Sequence, residues 1–488
     1  MTLAQKAGNA LVWRGLSVSV EKIIFFLRIL VLARLIAPAD FGLVAIGMLS
    51  LAVMDSLTDF GIVPALVQRP AGDKRHLDTA WTMGLIRGVF INVTMFAAAP
   101  IIASAFDQPE ATNIIRILAL ASLFRAAASI EIASLTRELK FRRLVVIRLA
   151  AAVSNTVMSI LLAKTFGAWA IVWGALTGAS VYLIVSYIVA PYRPQLRLHG
   201  LATAKLMKFG RWIFAISVIG AATDAALRWI ITERLSVIEL GLYFMAARLA
   251  HLPQQLITEL ISEVAFPLYA QVQGNVVKAA YAFRAVLIST LALLVPVSAI
   301  FLVLIPLFVE EVLGERWAGA SIVMQLLVLV GVVGTISDTI VPLLKGMGRP
   351  RKVAILEVLQ FLVLCPLAWV LIARYGLAGA GLALLIVELI SQAFAIRYVK
   401  RLIDKPFSGI GGPCLVLGAA TLAGSAISLL IIQKVSGIPA LILAGLMGPL
   451  TMVLTILYTD RVFRVGLLSR ITEPFPILAR MVRHDSTD

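Results

Sequence analysis

The residues able to do chemistry in this chain are ionised side chains set inside apolar runs. Arg14, Glu21 and Arg28 recur every seven residues within Leu11–Ala37, with Ser17 between them, so a helix carries all four on one face. Lys22 and Arg34 lie in the same run. A helix crosses a bilayer with about 20 mostly apolar residues, and a charge at its middle costs roughly 2.5–3.5 kcal/mol on insertion scales. A charged stripe of this length is therefore expected to look into a polar cavity or a protein interior. Arg14 and Arg34 can snorkel to the two interfaces. Glu21 and Arg28 lie too deep for that.

Later runs repeat the pattern. Asp55 and Asp59 fall one turn apart, Arg125 aligns with Ser122 and Ser129, and Asp224 and Arg228 are an i,i+4 pair with Ser217 on the same side. Arg248, His251, Gln255, Glu259 and Glu263 share another run, and Asp338 stands in a further one. Two roles compete for these groups. They can pair with one another and fix helix packing, as Asp224 with Arg228 or Glu21 with Arg28. Alternatively Arg28, Lys22, Glu21, Arg125, Asp224, Arg228 and Arg248 line a cavity for an anionic group, and Asp55, Asp59, Glu259, Glu263 and Asp338 are candidates for coupling to protons or sodium. Arginine suits phosphate because its planar fork binds two oxygens and it stays charged when dehydrated.

Composition fixes the setting of those charges. Hydrophobic residues make up 60% of 488, against about 45–50% in soluble domains, and the apolar runs exceed the roughly 10 residues of a barrel strand. An all-α polytopic membrane protein follows. Fourteen spans are expected, at 10–36, 41–67, 79–106, 111–135, 143–164, 167–190, 209–232, 238–270, 284–309, 318–344, 353–373, 376–397, 410–432 and 438–459. No room remains for a folded domain outside the membrane, and the N-terminal run does not read as a cleaved signal peptide. The net charge of +17 is confined to alternate loops. Gln68–Asp78, Arg137–Arg143, Pro191–Arg211, Lys345–Lys352 and Arg397–Lys405 are basic, whereas Phe106–Asn113 has no Lys or Arg and Glu310–Arg316 is net acidic. That alternation points to both termini in the cytoplasm and away from nucleic acid.

An internal repeat organises the spans. Arg34-Leu35 with Asp40-Phe41-Gly42-Leu43 recurs as Arg234-Leu235 with Glu239-Leu240-Gly241-Leu242, and Phe166-Gly167 as Tyr375-Gly376. Leu139–Arg143 has a counterpart in Gly348–Lys352. The offset is about 200 residues, or six spans, so the copies are parallel, as in two-lobed transporters. The expected parts are a six-helix lobe at 1–195, a second at 196–405, two further helices at 406–460 and a basic amphipathic tail at 461–488. Catalytic and metal signatures are missing: there is no phosphate-binding G-x-x-x-x-G-K-[ST], no H-E-x-x-H and no cysteine pair beyond the scattered Cys365 and Cys414. Gly174-x-x-x-Gly178 reads as helix packing.

The run Ala33–Leu43, with Ala65-Leu66-Val67-Gln68-Arg69, Arg137–Arg143 and Tyr192-Arg193-Pro194, resembles the bacterial polysaccharide transporter branch of the multidrug/oligosaccharidyl-lipid/polysaccharide exporter superfamily. The resemblance covers the first two hundred residues and continues as span pattern to the end. It implies a flippase, not an enzyme, that moves undecaprenyl-diphosphate-linked oligosaccharide units across the bacterial inner membrane for O-antigen, capsule or exopolysaccharide assembly. It also implies two six-helix bundles plus two C-terminal helices, and work alongside a polymerase and co-polymerase. The quoted motifs lie at loops and helix ends, so the candidate site residues rest on intramembrane charge alone. The rival readings are a drug or cation antiporter of the same superfamily, expected to be acidic and aromatic inside, and a membrane glycan polymerase or ligase, expected to carry a large external loop.

Overall fold

The computed structural model describes residues 3–58, 74–137, 140–197, 211–258, 276–346, 350–403 and 405–463. Every regular element among them is helical. The first compact unit, Met1–Phe244, holds α1 (Leu3–Leu35), α2 (Pro38–Thr58), α3 (Lys74–Ala105), α4 (Ala111–Ala126), the short α5 (Ile132–Arg137), α6 (Phe141–Phe166), α7 (Ala168–Val189) and α8 (Arg211–Arg234). The division from the second unit, Met245–Asp488, falls inside α9 (Val237–Ala250). That second unit continues with a helical stretch at 252–258, α10 (Val276–Phe308), α11 (Ala320–Gly346), α12 (Pro350–Tyr375), α13 (Leu377–Leu402), α14 (Gly411–Lys434) and α15 (Gly437–Phe463).

Helix covers part or all of each expected span. Among the described residues, eleven helices are long and apolar enough to cross a membrane. Outside that set, α4 and α9 have only 16 and 14 residues, and α1 carries Glu21, Lys22, Arg28 and Arg34. Two expected spans are interrupted. The run at 111–135 breaks between α4 and α5, and the run at 238–270 turns at His251. Prolines sit inside α3, α10, α11, α12 and α15, which membrane helices tolerate when neighbours re-satisfy the freed carbonyls.

In the first unit α1 packs on α6, α6 on α7, α7 on α4, and α2 on both α4 and α8. The α6–α7 seam is set by small residues, as expected for Gly174 and Gly178. A Cβ on Gly174 would sit 2.8 Å from the Asn155 carbonyl oxygen, and one on Gly178 would sit 2.9 Å from the Asn155 Cβ. The repeated glycine motifs also meet directly: a Cβ on Gly241 would lie 3.0 Å from the Gly42 nitrogen, with the Pro38 backbone closer still. Gly167 and Gly376, which open α7 and α13, share one backbone conformation at φ 52°, ψ −124° and φ 58°, ψ −141°. In the second unit α11 packs on α10 and α13, α12 on α13, and the α14–α15 pair on α10.

Candidate functional site

On α1 the exposed face carries Ile23, Leu27 and Val31, while Glu21 and Arg28 turn toward protein. Arg28 Nη1 donates to Asn155 Oδ1 of α6 at 2.5 Å and lies 5.5 Å from the Phe25 ring centre. Asn155 Oδ1 also accepts from Ser159 Oγ at 3.2 Å. Glu21 stands within electrostatic reach of Tyr182 on α7. The stripe thus joins α1 to the α6–α7 pair. Lys22 is half-buried beside it.

Deeper in the first unit, α2, α3, α4 and α7 enclose a cavity of about 420 Å³. Asp55, Arg87, Arg125, Ser122, Trp81 and Tyr182 line it. Arg87 is the best-held cation there. Its Nη2 donates to Asp55 Oδ1 and to the Asp55 carbonyl, each at 3.0 Å, and its Nε donates to Thr58 Oγ1 at 3.0 Å. The side chains stay partly open, at 31% exposure for Arg87 and 47% for Asp55. Arg125 is open to the cavity and feels Asp55 and Tyr182 as its nearest electrostatic neighbours. Among the described residues, two guanidiniums against one carboxylate leave the lining net positive.

The α4–α5 break closes one end of this cavity, through Ala128, Ser129 and Ile130. A broken helix in an apolar interior must re-satisfy its backbone groups, and the partners are present. Tyr187 Oη and Trp81 Nε1 donate to the Ala127 carbonyl at 3.0 and 3.4 Å. Ser129 N donates to Ser186 Oγ at 3.0 Å, and Ser129 Oγ to the Ala190 carbonyl at 2.7 Å. Beyond α7, the extended segment 191–197 is pinned across the start of α3. Tyr192 Oη donates to the buried Asp78 carboxylate, Gln195 N donates to the same oxygen at 3.3 Å, and Arg197 N donates to Thr82 Oγ1 at 3.2 Å. Burial, and then the bond to Asp78, push the Tyr192 phenol above its usual range.

The second unit gathers acids, with no matching cation cluster in contact with them among the described residues. Asp338 Oδ2 on α11 accepts from Gln254 Nε2 at 2.9 Å and Thr258 Oγ1 at 3.3 Å. His251 Nδ1 donates to Gln254 Oε1 across 3.3 Å. Glu388 on α13 accepts from Gln392 Nε2 at 2.7 Å and Gln360 Nε2 at 3.3 Å, and Gln392 Nε2 also reaches Ser337 Oγ at 2.6 Å. Buried Gln392 Oε1 meets no donor among the described residues. No group of three or more His, Cys, Asp or Glu able to hold a metal forms among the described residues.

Of the expected site residues, Asp55 and Arg125 meet in one cavity, and Asp338 sits in the amide network. Arg28 is engaged with Asn155. Asp224 and Arg228 face each other at 3.4 Å on the outside of α8, with Asp224 64% exposed. Arg248 is half-buried near the end of α9. Asp59, Glu259 and Glu263 lie outside the described residues. Arg87 and Glu388 were missed, although each is an ionised residue inside an apolar run and the same criterion applied to 79–106 and 376–397 selects both.

The fold matches "Lipid II flippase MurJ, inward closed conformation" at TM-score 0.71 over 93% of this chain and 99% of that one, with 14% identity. It matches "Inward-facing conformation of a multidrug resistance MATE family transporter of the MOP superfamily" at TM-score 0.64 over 79% and 96%, with 15% identity. In sequence, the family model described as "Polysaccharide biosynthesis protein" matches residues 31–322, so the chain belongs to the polysaccharide biosynthesis protein family. The lipopolysaccharide biosynthesis protein WzxC of Escherichia coli is 25% identical over 397 residues, 80% of each chain. The succinoglycan biosynthesis transport protein ExoT of Rhizobium meliloti is 24% identical over 325 residues, 66% of each. The family places the chain in polysaccharide biosynthesis.

Proposed function

We propose that the protein is a flippase for undecaprenyl-diphosphate-linked oligosaccharide units, working in the bacterial inner membrane with both termini in the cytoplasm. The observation that carries this reading is the net-positive cavity of the first unit, where Arg87 and Arg125 outnumber Asp55. A diphosphate bearing sugars cannot enter about 30 Å of hydrocarbon unaided. Paired guanidiniums give its oxygens charge-assisted hydrogen bonds in exchange for water, and Trp81 and Tyr182 offer flat faces to sugar rings. Fourteen crossings in two six-helix lobes plus two helices, with one lobe rocking against the other, remain the topology we infer.

Coupling to protons or sodium would fall to the second unit, at Asp338 and Glu388. Their amide donors satisfy a carboxylate without neutralising it, so each can exchange a cation. The product would pass to a polymerase and co-polymerase. A drug antiporter shares the fold but would not be expected to present two guanidiniums to a cationic cargo. The test is surface polysaccharide in a strain depending on this gene: the Arg87→Ala/Arg125→Ala protein should reach the membrane and yield none. Normal polymer from that variant would remove the cavity from the transport path.

A further inference from the structure

A second cavity, of about 530 Å³, lies beside the cationic one in the first unit. Val53 and Met54 of α2, Met95 and Ala98 of α3, and Ala225 and Trp229 of α8 are part of its wall. Two of the polar groups at its edge are already engaged. Ser50 Oγ donates to the Ile46 carbonyl at 2.8 Å, and the Trp229 indole donates to the Ala105 carbonyl at 3.1 Å. A polar ligand would be desolvated there with little in return, whereas hydrocarbon would not. The two cavities share α2 and α3. Asp55 borders the cationic one and Met54 the apolar one, and on α3 the change comes between Ile91 and Thr94, within one turn. Arg87 and Met95 are eight residues apart, about 12 Å along the helix.

We propose that the apolar cavity seats the isoprene units next to the diphosphate, the cationic cavity holding the head. This rests on the anionic-lipid reading above and adds a site for the chain. Among the described residues, an anion seat with an apolar pocket beside it matches a lipid phosphate with a single chain. Its volume is that of a site for a drug-sized apolar ligand, so it takes the first few isoprene units and leaves the remainder in the bilayer. Met54 and Met95 are unbranched and adaptable, which suits the methyl branches of such a chain.

The experiment compares geranylgeranyl diphosphate, inorganic diphosphate and phosphatidic acid on the purified full-length protein. Wild type should bind the prenyl diphosphate more tightly than inorganic diphosphate. Ala98→Phe, which fills the pocket, should weaken the prenyl ligand about tenfold, the loss that goes with excluding two methylene-sized groups, and leave inorganic diphosphate unchanged. Prenyl binding untouched by Ala98→Phe, or phosphatidic acid competing as well as the prenyl ligand, would overturn the proposal while leaving the anion seat standing. No binding of either diphosphate to wild type would sink the anionic-lipid reading itself and this site with it. A photoreactive geranylgeranyl diphosphate on wild type avoids any folding defect: labels should map to residues 49–54, 94–106 and 225–229, and labelling confined to other helices rejects the site.

Discussion

Deleting either partner of the Arg87–Asp55 pair should shift anion binding in opposite directions. Arg87 makes three hydrogen bonds to the last turn of α2, two of them to Asp55, and an incoming anion must draw it from that carboxylate. Both side chains are about a third to a half exposed, so the pair is worth about 1 kcal/mol, not the several of a buried one. Asp55→Asn keeps an acceptor oxygen and the backbone carbonyl but removes the competing charge. Diphosphate should then bind about fivefold more tightly. Arg87→Leu removes a charge-assisted bond to the ligand of about 1.5–3 kcal/mol and should weaken binding roughly ten- to a hundredfold. The cost to folding, about 1–2 kcal/mol after allowing for exposure, stays below the usual 5–15 kcal/mol of total stability. Calorimetric titration of inorganic diphosphate into purified protein reads both variants, with size-exclusion profiles as the folding control. Weaker binding in Asp55→Asn, or unchanged binding in Arg87→Leu, would refute the idea that Asp55 holds an anion's place.

Three further perturbations follow from the geometry. Tyr192→Phe removes the phenol from buried Asp78 and should cost about 1 kcal/mol of stability. Because the folded state raises the Tyr192 pKa, the wild-type advantage should be full at neutral pH and fade as pH climbs past about 10; thermal unfolding from pH 7 to 11 reads the difference, and a gap that widened above pH 10 would contradict it. Gly241→Ala forces a Cβ into the Pro38 backbone and should destabilise by about 1–3 kcal/mol, seen as a lower melting temperature in detergent, whereas Gly411→Ala, with nothing within 4 Å, serves as the neutral control. Asp338→Asn and Glu388→Gln should keep the protein folded yet bring gradient-driven transport in proteoliposomes to background; undiminished response to both proton and sodium gradients would exclude these carboxylates from coupling.

The helical membrane fold was legible because hydrocarbon imposes one rule on every span, and apolar length reports it directly. The break at 127–131 was not, since that run contains no glycine or proline to mark it, whereas the turn at His251 has Pro253 two residues on, a breaker that the single expected span at 238–270 runs through. Ala127 and Ser129 are held out of helix by Tyr187, Ser186 and Ala190, which are some 60 residues away in sequence. On α1 the spacing of seven puts Arg14, Glu21 and Arg28 on one helix face. Spacing names a face, however, and not a partner. Asn155 became visible as the acceptor for Arg28 only once α1 and α6 were seen together, and Arg87 only once α3 lay against the end of α2.

The way these charges are neutralised separates them further. Arg28 bonds across to a neutral amide of α6, a contact that positions helices, and Arg228 faces a carboxylate on its own helix. Arg87 and Arg125 share a cavity whose one acid is partly open to solvent. Asp338 and Glu388 meet amides and hydroxyls. Inside a cavity, a pair partly open to solvent can exchange a partner for a ligand at modest cost, and so can a carboxylate met by neutral donors. On this reasoning the positive cavity and the acidic amide network are the places poised to exchange a ligand, one for an anion and the other for a cation. A transporter that links an anionic lipid to a cation gradient needs both kinds of site, each able to empty and refill.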